Sequence, residues 1–320
     1  THPPRRTGRA ARHRQRPRQP HAGRRMLEAM ELPPEVRALY PFAPRGFAAP
    51  SGRMSYVDEG PRAGRPVLLL HGNPSWSFLW RDLIRALALR GRRVIAPDHV
   101  GMGLSARPGS FLRLNDRIRD VESLLDSLGV RQFDLGVHDW GGAIGFGLAG
   151  RRPRDVGRVL VTNTSAFRSD RIPARIALCR APVVGRLIVQ GLNGFAGPAA
   201  RMAVQRPLSP AARAGFLLPY RSWADRRSVA DFVADIPMER SHPSWAALDE
   251  VERGLPALRG KPMLLCWGLR DFCFDRFFLD GFRERFPGSE EALFESAGHY
   301  VLEDAGAEAV ARAAAFLDVR

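Results

Sequence analysis

Six short apolar runs, PVLLL, RVIAPD, FDLGVHD, RVLVTNT, KPMLLCWG and EALFES, recur between longer stretches of helical spacing. Runs this short and this uniformly apolar read as strands covered on both faces. The intervening WRDLIRALALR, NDRIRDVESLLDSLG and AIGFGLAGRRP carry apolar residues at helical intervals. Strand and helix in alternation predict a mostly parallel α/β sheet with helices packed on it. PEVRALYPF and MSYVDEG precede this pattern as a leading segment and a short strand with its turn.

The alternation lapses between about Phe167 and Leu258, a stretch rich in Arg, Ala and Pro that holds helical segments such as RIPARIALCR and SVADFVADI. It resumes at Lys261, which favours a helical cap inserted between two core strands over a separate small domain. The expected division is a basic tail over 1–30, core over 31–166, cap over 167–258 and core again over 259–320.

The formal net charge of +16 over 320 residues is unevenly placed. Residues 1–25 carry nine arginines and no acid, leaving +7 for the rest. A tail so rich in Arg, Pro, Gly and Gln is expected to be disordered. Its charge would attract nucleic acid or an anionic surface only nonspecifically, and no specific nucleic-acid partner is expected. The blander alternative is a product that starts at Met26 or Met30. No apolar run approaches the roughly 20 residues of a membrane span, and Cys179, Cys266 and Cys273 offer neither metal-ligand spacing nor an even disulfide set. A cytoplasmic protein without metal or cofactor is the expectation.

The chemistry lies where strands should end. In DLGVHDWGGAIG, Asp139 closes a strand, and Gly141 and Gly142 permit tight packing of strand against helix. WGLRDFCF puts Asp271 just past the next-to-last strand, and ESAGHYVLED puts His299 in the loop after the last. Carboxyl ends of parallel strands are where such sheets build their sites. The order nucleophile, acid, histidine predicts covalent catalysis by a carboxylate, with His299 as base and Asp271 as its orienting acid. Asn163, which ends RVLVTNT, cannot hold a histidinium by charge, and Asp170 falls inside the expected cap. LLLHGNPSW places Asn73 at another strand end. The backbone N–H groups of Asn73 and Trp140 are placed to form an oxyanion hole. Their side chains are neutral donors expected to face the space over Asp139, where they would hold a halide or a carboxylate-like oxygen. GMGLSARP lacks the endings of a phosphate-binding loop and reads as a turn.

The stretches HGNPSWSFLW, IAPDHVGMGLSARP, VHDWGGAIG and AGHYVLED resemble the haloalkane dehalogenase group of α/β-hydrolases, from about Tyr40 to Phe316. The resemblance implies the α/β-hydrolase fold, with Asp139 as nucleophile, His299 as base, Asp271 as acid, and Asn73 with Trp140 as the anion-stabilising pair. The expected cap segments, among them ALCRAPVVGRLIVQGLNGFAGPAARMA and RPLSPAARAGFLLPYRSWADRRSVADFVADIPM, together with WGLRDFCFDRFFLDGFRERFP, are similar to the β-lactone decarboxylases of bacterial olefin biosynthesis. That similarity implies conversion of a cis-3,4-dialkyl-oxetan-2-one into a cis-alkene and CO2, and an assembly with the lactone-forming synthetase. Val137 departs from the glycine that opens a serine-hydrolase elbow, and the basic tail has no counterpart in the pattern.

The decarboxylase reading is preferred, with haloalkane hydrolysis through an alkyl ester on Asp139 as the alternative. Epoxide hydrolysis is the lesser rival, since Tyr220 is the one tyrosine available in the expected cap. In the lactone reaction Asp139 attacks either a ring carbon or the carbonyl. PVVGRLIVQGLNGF and AGFLLPY are candidates to line a tunnel for alkyl chains, or else to pack the cap on itself.

Overall fold

The computed structural model describes residues 31–318 and His2. Eight strands form one sheet: β1 (Arg45–Ala49), β2 (Gly52–Glu59), β3 (Val67–Leu70), β4 (Val94–Pro97), β5 (Phe133–Asp139), β6 (Val156–Thr164), β7 (Met263–Gly268) and β8 (Glu290–Phe294). Their spatial order is β1-β2-β4-β3-β5-β6-β7-β8. The two β2 pairings are antiparallel and the remaining ones parallel. Every residue of β3, β4, β5 and β7 is buried, as their unbroken apolar runs predict. All six expected strands and MSYVDEG are present. Strand β1, RGFAA, escaped the sequence because its mostly exposed, glycine-containing pattern has no apolar face to detect.

Helices α1 (Pro34–Leu39), α2 (Arg81–Leu89), α3 (Leu114–Ser127) and α4 (Trp140–Arg151) accompany the first strands. Between β6 and β7 the chain holds helices only: α5 (Ala174–Arg180), α6 (Val184–Arg186), a π-turn over Leu187–Gly191, α7 (Ala196–Met202), α8 (Pro210–Leu217), α9 (Arg227–Ala234) and α10 (Trp245–Gly254). Helices α11 (Arg276–Arg285), α12 (Val301–Asp304) and α13 (Gly306–Asp318) follow β7 and β8. No helix among the described residues is long and apolar enough to cross a membrane.

The sheet reverses its direction of growth around β3, with β4 on one side and β5 on the other. Such a switch leaves a crevice at the carboxyl ends of the two flanking strands. Asn73, after β3, and Asp139, at the end of β5, stand on either side of it.

Candidate active site

Strand β5 runs into α4 with no intervening loop, so Asp139 is at once the last strand residue and the residue before the helix. Its backbone adopts φ 51° and ψ −127°, a strained conformation for a residue with a side chain. The turn is possible because the two helix positions after Trp140 lack side chains. A Cβ on Gly141 would come within 2.1 Å of the Leu70 carbonyl oxygen, and one on Gly142 within 1.8 Å of Thr164 Oγ1. Thr164 Oγ1 also donates to the Asp139 carbonyl oxygen, holding the elbow against β6.

The two oxygens of Asp139 meet different partners. Oδ1 accepts from the Asn73 backbone N–H at 2.6 Å. Oδ2 lies 3.7 Å from His299 Nε2. The Asn73 amide, one of the pair expected to receive a substrate oxygen, therefore holds the aspartate itself, leaving Oδ2 as the free edge. Burial pushes the Asp139 pKa above the ordinary carboxylate range, against the opposing pull of His299 and the Asn73 backbone amide.

His299 Nδ1 faces Asp271 Oδ2 at 2.8 Å. Burial works against a charged His299, but the Asp271 charge and hydrogen bond, with Asp139 adding to them, leave its pKa raised. Phe274 stacks on the imidazole at 5.7 Å between centroids. His138 Nε2 meets the His299 carbonyl oxygen at 3.0 Å, while its Nδ1 is buried without a partner. The carbonyl can only accept, so the proton of His138 sits on Nε2. Burial holds the His138 pKa well down and keeps it neutral.

Four sequence-predicted residues, Asp139, His299, Asn73 and Trp140, converge here, and Asp271 backs the histidine. Asp139, Asn73 and Trp140 line one cleft of about 830 Å³ including its open mouth. The Asn73 side-chain nitrogen donates to the Val229 carbonyl at 3.2 Å; an NH₂ has two protons, so one remains for the cleft. Trp140 packs edge-on against Phe232. Asp170 is exposed and does not replace Asp271.

Sequence reasoning missed three supporting residues. Asn163 donates at 3.0 Å both to Asp271 Oδ2 and to the Gly268 carbonyl, and accepts from the Gly268 N–H at 2.9 Å. Asp304 accepts from the backbone N–H groups of Gly298, Gln205 and Arg206, tying the histidine loop to the helical segment. His138 is the third. The positive φ of Asn163, 31°, has no sequence signature, although its position at a strand end was a usable hint.

The walls of the cleft differ from expectation. They come from Phe167, Ile172, Ile176, Val233, Ile236, Met238, Leu248, Phe274 and Phe278, and of the two expected tunnel segments only Phe195 takes part. In PVVGRLIVQGLNGF the side chains of Val183, Val184, Leu187 and Leu192 are exposed, while Phe216, Leu218 and Tyr220 of AGFLLPY are packed inside. Tyr220 donates its hydroxyl proton to the Ser75 carbonyl at 3.1 Å and does not line the cleft.

The family model for the alpha/beta hydrolase fold matches residues 65–306. The chain is 40% identical over 292 residues to a cis-3-alkyl-4-alkyloxetan-2-one decarboxylase of Xanthomonas campestris, covering 87% of this chain and 97% of that relative. It is likewise 40% identical to the enzyme of that name from Shewanella oneidensis, covering 85% and 87%. Haloalkane dehalogenase 2 of Mycobacterium bovis is 34% identical, with 83% and 92% covered. Among solved structures, the haloalkane dehalogenase DbeA of Bradyrhizobium elkani superposes with a TM-score of 0.78 at 26% identity, covering 86% of this chain and 97% of that one. The chain belongs to the α/β-hydrolase family, within the group shared by these decarboxylases and haloalkane dehalogenases.

Proposed function

We propose that the protein is a β-lactone decarboxylase that converts cis-3,4-dialkyl-oxetan-2-ones into cis-alkenes and CO2, with Asp139 as nucleophile, His299 and Asp271 in support, and residues 167–258 as a cap. The choice of substrate rests on the 40% identity to two decarboxylases along nearly their whole length, against 34% to the dehalogenase. The reading extends to a cytoplasmic setting and to an assembly with the enzyme that makes the lactone.

The geometry favours attack at a ring carbon over attack at the carbonyl. A tetrahedral oxyanion needs backbone donors, and the Asn73 amide is already engaged by Asp139 Oδ1. Oδ2 instead displaces the ring oxygen at C4. The C4–O bond breaks, an ester forms on Asp139, and a free carboxylate appears on C3. The indole N–H of Trp140 and the spare amide proton of Asn73 receive that carboxylate. Its carbon–carbon bond then breaks, releasing CO2, while the electron pair forms the alkene and expels Asp139 as carboxylate. One inversion followed by one anti elimination preserves the cis relationship. No water is consumed, so His299 stabilises the anionic site by charge. The apolar cleft suits alkyl substituents and keeps the carboxylate poorly solvated, which strengthens the two donors.

Haloalkane hydrolysis uses the same first step with halide as leaving group, after which His299 must activate water to cleave the ester. Epoxide hydrolysis loses its support with Tyr220, which is engaged elsewhere. Incubation with a cis-dialkyl β-lactone, followed by gas chromatography, should yield the cis-alkene. Efficient bromide release from 1-bromoalkanes without alkene from the lactone would reverse the assignment.

A further inference from the structure

We propose that the helical segment between β6 and β7 docks on the surface of an anionic lipid bilayer through an apolar, arginine-ringed face beside the cleft. This inference does not depend on which reaction the site runs. Residues 171–224 hold eight arginines and no Asp, Glu or Lys. With the nine charges of residues 1–25, they account for the whole excess of the chain, because all other positions together amount to −1.

The same segment concentrates the exposed apolar side chains. Leu192 is 80% exposed, Val183 75%, and Leu178, Val184, Leu187 and Trp223 about half. They are neighbours. A Cβ on Gly185 would touch the Cys179 carbonyl oxygen, so the end of α5 abuts α6. The Trp223 ring lies 3.0 Å from where a Cβ on Gly191 would stand, and Gln190 Nε2 donates to the Trp223 carbonyl at 3.1 Å. Val183 adopts φ 62° and ψ −62° in a turn closed by the Val184 N–H on the Pro182 carbonyl. A branched side chain held outward in so strained a conformation has no partner here to justify it.

Arginines are interleaved with this face. Arg175 and Arg201 flank it near Met202, whose sulfur lies 3.7 Å from Arg175, and Arg221 precedes Trp223 by two residues. None of these three has an acidic partner among the described residues, whereas Arg180 and Arg186 meet Glu239 and Asp231. Apolar tips surrounded by long cationic side chains match the interface of an anionic bilayer, where tips enter the acyl boundary and guanidinium groups stay among the headgroups. A second copy of the same face would oppose arginine with arginine. Helix α5 also joins the face to the site, since Ile176 lines the cleft and Leu178 is exposed two residues later. A lipid-dissolved substrate would thus meet the cleft without crossing water.

The test is co-sedimentation of the full chain with vesicles of equal parts phosphatidylcholine and phosphatidylglycerol. The parent should bind, and more weakly to phosphatidylcholine alone. The double variant Leu192→Ser, Trp223→Ser should lose about 10-fold or more in affinity while keeping its melting temperature and its turnover of a short, water-soluble substrate. Brominated lipid should quench the parent's fluorescence, and Trp223→Phe should remove that quenching. Equal binding by parent and double variant would assign any affinity to the basic tail and overturn the proposal. Failure of the parent to bind, or a change only in self-association or in binding an acidic protein, would overturn it as well.

Discussion

Asn163 Nδ2 and His299 Nδ1 share one acceptor, the Oδ2 atom of Asp271, at 3.0 and 2.8 Å. The other Asp271 oxygen accepts from the Cys273 backbone N–H at 2.7 Å. Asn163 is itself locked by two bonds to Gly268. The carboxylate behind the histidine is therefore held from three sides, and an amide that looked inert in the sequence turns out to aim it.

Asn163→Ala should lower kcat about 10-fold, the worth of one hydrogen bond to a charged group. Asn163→Asp restores the shape but puts a second negative charge beside Asp271. It should move the pH profile of any His299-dependent step upward, which steady-state rates across pH will show. A residue with only a structural role would leave that profile in place.

Asp139→Asn should abolish turnover of lactone and bromoalkane alike while the fold persists. The sign of its stability effect follows from burial. A carboxyl whose folded pKa lies above its unfolded value stabilises the fold while protonated, and that contribution is lost as pH rises through the window between the two. At pH 7 the parent carries the cost of a buried charge, so the neutral variant should melt no lower than the parent. Its advantage should close as pH falls through the raised Asp139 value. Thermal denaturation at several pH values checks this.

Trp140→Phe keeps the aromatic wall and removes the indole N–H. If that proton receives the departing carboxylate, kcat should drop by about 100-fold, the usual worth of a donor aimed at developing charge. KM should change little, since the free lactone carries no such charge. Steady-state kinetics on both substrates will separate the two parameters.

The two candidate reactions diverge in their need for water. Bromide turnover needs neutral His299, whose pKa is raised above the ordinary value of about 6.5, so its rate should climb as pH rises through that value. Alkene formation should persist at lower pH, until Asp139 protonates. Turnover in heavy-oxygen water should label Asp139 during bromoalkane hydrolysis and leave it unlabelled during lactone decarboxylation. Mass spectrometry of the peptide that contains Asp139 reads the result, and label acquired with the lactone would exclude the elimination route.

The sequence by itself determined seven of the eight strands, the helices between them and the residues proposed to react. Buried parallel strands need unbroken apolar runs, and a strand that turns at once into a helix needs glycines where Gly141 and Gly142 stand; both requirements are local and therefore visible in the sequence. Contacts between distant segments were not visible. That Asn163 aims Asp271, that Asp304 anchors the histidine loop, and that the Asn73 backbone amide holds Asp139 Oδ1 each depend on segments brought together by the sheet order. The short helices after β6 show the limit most clearly, because helical spacing reveals an apolar stripe without revealing what covers it. Tertiary packing turned Ile176 into the cleft and left Leu192 and Trp223 outside, since a side chain's fate depends on which neighbours reach it.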